Sequence, residues 1–169
     1  MTVLKYSFSL TPTAPTQAAP EARHEYAYSE FLLELAVRWR QVPVPEEDTL
    51  HFLSDADEAA IIISADFCEI PADKAQAIAE KCINSRIHAL QTASSGRVQV
   101  LQQNIQAHSG GAGLEMSFVA EVDAEHVQLY LGYVTSRKIL NFAMVCKPGR
   151  HEAMALFNAT VPGFRPRLP

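Results

Sequence analysis

Alternation with a period of two dominates the last third of the chain. Leu114, Met116, Phe118, Ala120 and Val122 form one apolar stripe. Val127, Leu129, Leu131 and Tyr133 form a second, and Leu140, Phe142 and Met144 a third. Successive side chains of an extended strand point to opposite faces, so each stripe predicts a strand with an apolar face. The linkers at 123–126 and 136–138 are short and polar, which suits antiparallel hairpins.

The same period recurs upstream. Leu4, Tyr6, Phe8 and Leu10 predict an edge strand over 3–10, and Pro12, Pro15 and Pro20 make 11–23 a loop or linker. Phe31, Leu33, Leu35, Val37 and Trp39 alternate over nine residues, ended by Pro43 and Pro45. A helical stripe through Phe31, Leu35 and Trp39 competes, but the strict period of two favours a strand. Segments 49–53 and 59–67 read as a hairpin around Ser54-Asp55-Ala56-Asp57. The run Ile61-Ile62-Ile63 is apolar on both faces, which places that strand centrally in a sheet.

Over 71–92 the period changes. Ala75, Ile78, Ala79, Cys82, Ile83, Ile87 and Leu90 recur at three and four residues and predict one long amphipathic helix, with Pro71 in its first turn. Alternation resumes over 97–108, and 109–113 is a turn. After Pro148-Gly149 a short helix is predicted over 150–161, burying Ala153, Leu156, Phe157 and Thr160 or Val161, with Pro162 and Pro166 beyond it. Runs of strands with few helices imply an α+β fold with an antiparallel sheet of about six or seven strands. The expected organisation is an N-terminal strand and Pro-rich extension over 1–30, then one domain over 31–169.

At 169 residues, 48% apolar and 20% charged, the chain has the composition of an ordinary globular domain. Its net charge of -5 lacks the basic footprint that nucleic-acid binding needs, and the pair Arg38 and Arg40 reads as a solvated face. No apolar run reaches the roughly 20 residues of a membrane span, and the first ten residues lack a signal-peptide core. A cytoplasmic protein is expected.

Candidate chemistry is sparse. Cys68, Cys82 and Cys146 are odd in number, lack Cys-x-x-Cys spacing and sit among apolar neighbours, so buried thiols are expected rather than disulfides or zinc ligands. Ser109-Gly110-Gly111-Ala112-Gly113 leads into a strand, not into the helix that a phosphate cradle requires. The six histidines show no metal-ligand spacing. Asp55, Asp57 and Glu58 lack the glycine and distal glutamate of a calcium loop and read as a solvated hairpin tip. There is no Gly-x-Ser-x-Gly elbow. No catalytic residue, cofactor or metal is assigned, and a non-enzymatic role is expected.

The reverse faces of the meander are a mixture of small, apolar and amide side chains: Val119, Gln128, Tyr130, Val134 and Asn141, with Ala143. Two readings stand. Either a helix or the N-terminal segment covers this surface, or it is a shallow groove that binds an apolar partner, with the amides and hydroxyl supplying hydrogen bonds.

A strand ending in Trp39 before Val42-Pro43, a hairpin, a long helix, a four-strand meander and a final helix running into Val161-Pro162-Gly163-Phe164-Arg165 together resemble the PsbP-like, DcrB-like α/β/α sandwich. The closing pattern from Leu156 to Val161, then Phe164, is similar to that superfamily's C-terminal helix, and the resemblance covers 31–165. The Pro-rich extension, and Arg38 in place of the usual Pro-x-x-Trp turn, depart from it. Cytoplasmic bacterial members of the DcrB-like group include the Eag chaperones of type VI secretion, which hold effector transmembrane helices in a groove of the sheet. The resemblance therefore implies a protein partner with apolar segments, with a homodimer as one form of the chaperone. A small-molecule or enzymatic pocket between the sheet and the long helix, or a structural accessory role, is the alternative.

Overall fold

Ten strands and two helices follow from this patterning in a computed structural model that describes residues 22–94 and 97–169. The strands are β1 (Arg23–Ala27), β2 (Phe31–Ala36), β3 (Arg40–Val42), β4 (Thr49–Ser54) and β5 (Ala59–Phe67), then β6 (Val98–Ala107), β7 (Leu114–Val122), β8 (His126–Val134), β9 (Lys138–Cys146) and β10 (Phe164–Pro166). The helices are α1 (Ala75–Ala93), entered through a 3-10 turn, and α2 (Arg150–Thr160). The strand expected over 3–10 lies outside the described residues.

Seven strands form one antiparallel sheet in the order β3-β4-β5-β9-β8-β7-β6, so the hairpin and the meander meet through β5 and β9. The central position expected for the Ile61-Ile62-Ile63 strand is observed. α1 packs on one face, over β6, β7 and β8. A three-stranded sheet, β1-β2-β10, together with α2 covers the other. β1 pairs with β2 along its whole length, so this second sheet begins ahead of the domain boundary expected at Phe31.

The nine-residue strand expected over 31–39 is shorter. Phe31, Leu33 and Leu35 are buried as the alternation requires, but the strand ends at Ala36 and the chain turns. The Trp39 amide donates to the Ala36 carbonyl at 3.0 Å, leaving Val37 exposed while Trp39 drops into the core. Alternation survives a tight turn by coincidence here, because a two-residue excursion preserves the parity of the pattern.

The three stripes of the meander do not share one face. Directly opposed residues of an antiparallel pair lie on the same side, and Phe118 is opposite Tyr130 while Leu129 is opposite Met144. The β7 stripe of Met116, Phe118 and Ala120 therefore packs under α1. The β8 and β9 stripes, including Leu129, Leu131 and Phe142, pack against the small sheet and α2. Both faces of the meander are thus core.

Charged groups thought solvated are paired. Arg38 contacts Asp57 at 2.5 Å, Ser54 donates to the same carboxylate oxygen at 2.6 Å, and Arg40 and Lys147 stand 3.6 and 3.7 Å from Asp55 and Glu58. Burial pushes the Asp57 carboxyl up, but the hydrogen bonds from Ser54 and Arg38 outweigh it and hold the group below the usual range. The glycine-rich segment is a hairpin loop between β6 and β7. Gly113 has φ 93°, and a Cβ there would lie 2.2 Å from the Val134 carbonyl oxygen, so only glycine fits.

Candidate functional site

α1 is too narrow to cover the sheet. A helix is roughly 10 Å across, whereas seven strands at about 4.8 Å spacing extend nearly 30 Å. Ala79 and Ile83 of α1 are buried against the β7 and β8 side chains, and β9 forms the border of the covered region. Beyond it, on the same face, β4 and β5 present His51, Leu53, Ala60 and Ile62, and β9 presents Val145. All five are only half-buried, and among the described residues α1 packs chiefly over β6, β7 and β8. A shallow depression of about 530 Å³ lies at one end of this open half, lined by Leu53, Ala60, His126 and Val145 among others. The register explains how the sheet exposes apolar groups here: Ile62 is opposite His51 on one side and Ala143 on the other.

A polar network marks the border between covered and open halves. The Tyr130 hydroxyl donates to Asn141 Oδ1 at 2.5 Å, and Asn141 Nδ2 donates to Ser64 Oγ at 3.2 Å and toward Asp66 Oδ2 at 3.5 Å. The Tyr130 ring stacks on Phe118, and the Arg86 guanidinium from α1 lies 4.4 Å from its centroid. Burial raises the Tyr130 phenol well above its ordinary pKa, and the Arg86 cation opposes the rise only in part. The phenol is a neutral hydrogen-bond donor, held in place rather than poised to lose its proton.

Gly132 makes this geometry feasible. A Cβ on Gly132 would lie 2.2 Å from the Tyr130 hydroxyl oxygen and 2.8 Å from Met116 Cε. Gly132→Ala is expected to tilt the ring away from Asn141 and destabilise the fold by about 1–3 kcal/mol. Chemical denaturation measures the loss, and loss of protection of the Tyr130 hydroxyl proton by NMR identifies its cause.

The five residues predicted as a partner surface are separated by this arrangement. Tyr130 and Val134 lie buried in the cluster beneath α1. Val119 is on the opposite face, in the core shared with the small sheet. Asn141 is 4% exposed and sits in the border network, and Gln128 is half-buried at the edge of the open half, 3.4 Å from His126. A helix thus covers much of the predicted surface, and the open face is displaced towards β4 and β5. The signal for that displacement was present in Ile61-Ile62-Ile63: a strand apolar on both faces needs cover on both, and the sequence offered only one long helix.

The remaining features are simpler. Cys146 is buried and its thiol is pushed up to about 11 by burial; Cys82 is half-buried and raised for the same reason. Cys68 is exposed, contrary to the expectation of three buried thiols, because it lies just past the end of β5. Among the described residues no group of three or more His, Cys, Asp or Glu stands close enough to hold a metal ion. Among them, too, no helix is long and apolar enough to cross a membrane. A cleft of about 210 Å³ between the two sheets is lined by Tyr28, Phe31, Phe67, Glu47 and Asp48.

No protein-family model matches the chain, and no curated protein matches it in sequence. Among solved structures it is similar to the cyanobacterial PsbP (CyanoP) of Synechocystis sp. PCC 6803, with a TM-score of 0.60 and 13% identity over 91% of this chain and 98% of that one. At that identity the likeness establishes the fold, and the fold is PsbP-like.

Proposed function

We propose that the protein is a non-catalytic binding protein that holds an apolar helix of a partner on the open half of its sheet, alongside α1. The observation that carries this reading is the half-buried apolar set Leu53, Ala60, Ile62 and Val145, on the same sheet face as α1 but beyond its reach. The four strands β3, β4, β5 and β9 span about 14 Å, the width of one further helix. Burying Leu53 and Ile62 beneath such a helix supplies apolar contact, and Gln128, His51 and Ser64 at the margins supply hydrogen bonds that fix its register. In its narrower form, the protein is a cytoplasmic chaperone or adaptor for the transmembrane segments of a type VI secretion effector. That form adds to the geometry the resemblance to DcrB-like proteins noted in the sequence.

A lysine-flanked Leu-Ala helix of membrane-span length is the probe. The reading predicts that the full chain binds it in detergent-free buffer, measured by fluorescence anisotropy. Ile62→Lys and Leu53→Lys should each weaken binding by at least about tenfold, through lost apolar burial. Val37→Lys, on an exposed turn outside this face, should leave it unchanged. Equal binding by all three variants would reject the open half as the site.

A small-ligand reading has one observation in its favour. A cleft of about 360 Å³ lies beside the start of α1, lined by Ile70, Ala75, Leu114, Val134 and Thr135. Its volume is at the lower end of the range for ligand pockets. Peptide binding that is unaffected by Ile62→Lys but blocked by Ala75→Trp would transfer the site there.

A further inference from the structure

The core between the two sheets is open at one end. Along β5 the side chains that face the small sheet run Ile61, Ile63, Ala65 and Phe67, alternate positions of one strand. The first two are fully buried, Ala65 is half-buried, and Phe67 is 53% exposed, the highest among the large apolar side chains described. β5 stays paired with β9 as far as Phe67, opposite Lys138, so the ring stands on a strand end rather than on a loop. From the other layer, the β1–β2 turn and the start of β2 bring Tyr28 and Phe31, whose ring centroids lie 4.9 Å apart at 36°. Leu50, opposite Ile63 on β4, completes the floor of the cleft of about 210 Å³.

A single exposed aromatic ring is ordinary on a protein surface. Here three rings line one cavity, and the charged residues that line it with them are all acidic: Glu30, Glu47 and Asp48. Glu30 is neutralised by the buried Lys138 ammonium, with Arg137 adding to the positive field around it. Glu47 and Asp48, on the loop between β3 and β4, are exposed and form no ion pair among the described residues. Aromatic faces carry the negative end of the ring quadrupole, so walls and rim favour the same charge. The volume is below the ordinary range for ligand pockets, which limits the occupant to about one ring or a short chain.

We infer that this cleft binds a small organic cation, a quaternary ammonium compound carrying one apolar group of about ring size. The apolar group lies against Phe67 and Ala65 over Leu50, and the cationic head meets the ring faces on the side of Glu47 and Asp48. A quaternary ammonium suits the site because its charge is spread over methyl groups and sheds water readily against aromatic walls. A lysine ammonium is compact and strongly hydrated, so the lysines flanking the probe helix are not expected to occupy the cleft. The site is independent of the function proposed above. Ile61, Ile63 and Phe67 face the small sheet, whereas Ala60 and Ile62 alternate with them on the other face.

Benzyltrimethylammonium is the probe, titrated into the full chain and followed by amide chemical shifts. The amides of Leu50, Ala65 and Phe67 should shift saturably, with a Kd of about 1 mM or below. Benzyl alcohol and benzoate, which keep the ring but remove or invert the charge, should each bind at least about tenfold more weakly. Phe67→Ala should weaken the cation by about tenfold, and Phe67→Tyr should keep the wild-type affinity, because the ring face is what the charge meets. Glu47→Gln/Asp48→Asn should weaken the cation by about threefold and leave benzyl alcohol unchanged. These three positions are exposed, and thermal unfolding of each variant confirms an intact fold. Absence of saturable shifts at these amides, benzyl alcohol binding as tightly as the cation, or unchanged cation affinity in Phe67→Ala or in the neutralised double variant overturns the inference.

Discussion

Glu30→Ala is expected to destabilise the fold by about 3 kcal/mol, more than removal of its partner Lys138 does. Lys138 opens β9 and is 1% exposed, yet it carries an ammonium group. That charge has two partners: the Glu30 carboxylate from the β1–β2 loop, and the Arg167 carbonyl at 2.5 Å. The three groups tie the main sheet to the small sheet and to the chain beyond β10. Without Glu30 the buried charge keeps only the carbonyl, and desolvation of an unpaired ammonium is the larger penalty. Lys138→Met instead leaves Glu30, whose side chain reaches solvent and can be hydrated, and should cost about 1–2 kcal/mol through the lost bond to Arg167. Urea unfolding of both variants and of the double variant decides the matter. The double variant should resemble Lys138→Met alone, and the reverse ordering of the single variants would refute this account of the pair.

The same pair has a pH signature. The hydrogen bond from Lys138 holds the Glu30 carboxyl below its usual pKa. A carboxyl depressed in the folded state contributes stability that is present above its unfolded pKa, near 4.3, and is lost as pH falls through the folded value. Asp57 is depressed as well and acts in the same direction. Stability should therefore fall on acidification below about pH 4, and Glu30→Ala should show a shallower fall than the wild type.

Phe142→Ala is the second large effect, about 3–5 kcal/mol. Phe142 is fully buried in β9, with ring centroids 5.0 Å from Phe164 and 6.1 Å from Phe157. It therefore joins three elements distant in sequence: the meander, α2 and β10. Truncation leaves a cavity bounded by two other aromatic rings, which cannot collapse without moving α2. Denaturant titration should show the loss with an unchanged dependence on denaturant. A loss below about 1 kcal/mol would mean that the α2 layer is not packed as described.

Most of the fold was legible in local periodicity. The hairpin of β4 and β5, the helix over 71–92 and the three strands of the meander all appear close to their expected positions. What periodicity does not contain is which strands share a face. Met116, Phe118 and Ala120 look equivalent to Leu129 and Leu131, yet they point to opposite layers because pairing opposes Phe118 to Tyr130. That register depends on hairpin geometry, which the stripes alone do not encode. Hence Tyr130 and Val134, polar-looking or small in a mixed surface, turn out to be core beneath α1. The turn at Val37 was hidden for a related reason, since it leaves the alternation of Leu35 and Trp39 intact. The Lys138–Glu30 pair spans more than a hundred residues and had no local signal at all.

The central claim is that the half of the sheet beyond α1 receives an apolar helix. The most direct measurement is amide chemical-shift mapping of the full chain by NMR, titrated with the lysine-flanked Leu-Ala helix. Shifts concentrated at Leu53, Ala60, Ile62 and Val145, with the amides around Phe67 and Tyr28 unmoved, are the predicted result. Shifts centred on the cleft of Tyr28 and Phe67, or none at saturating peptide, would contradict it.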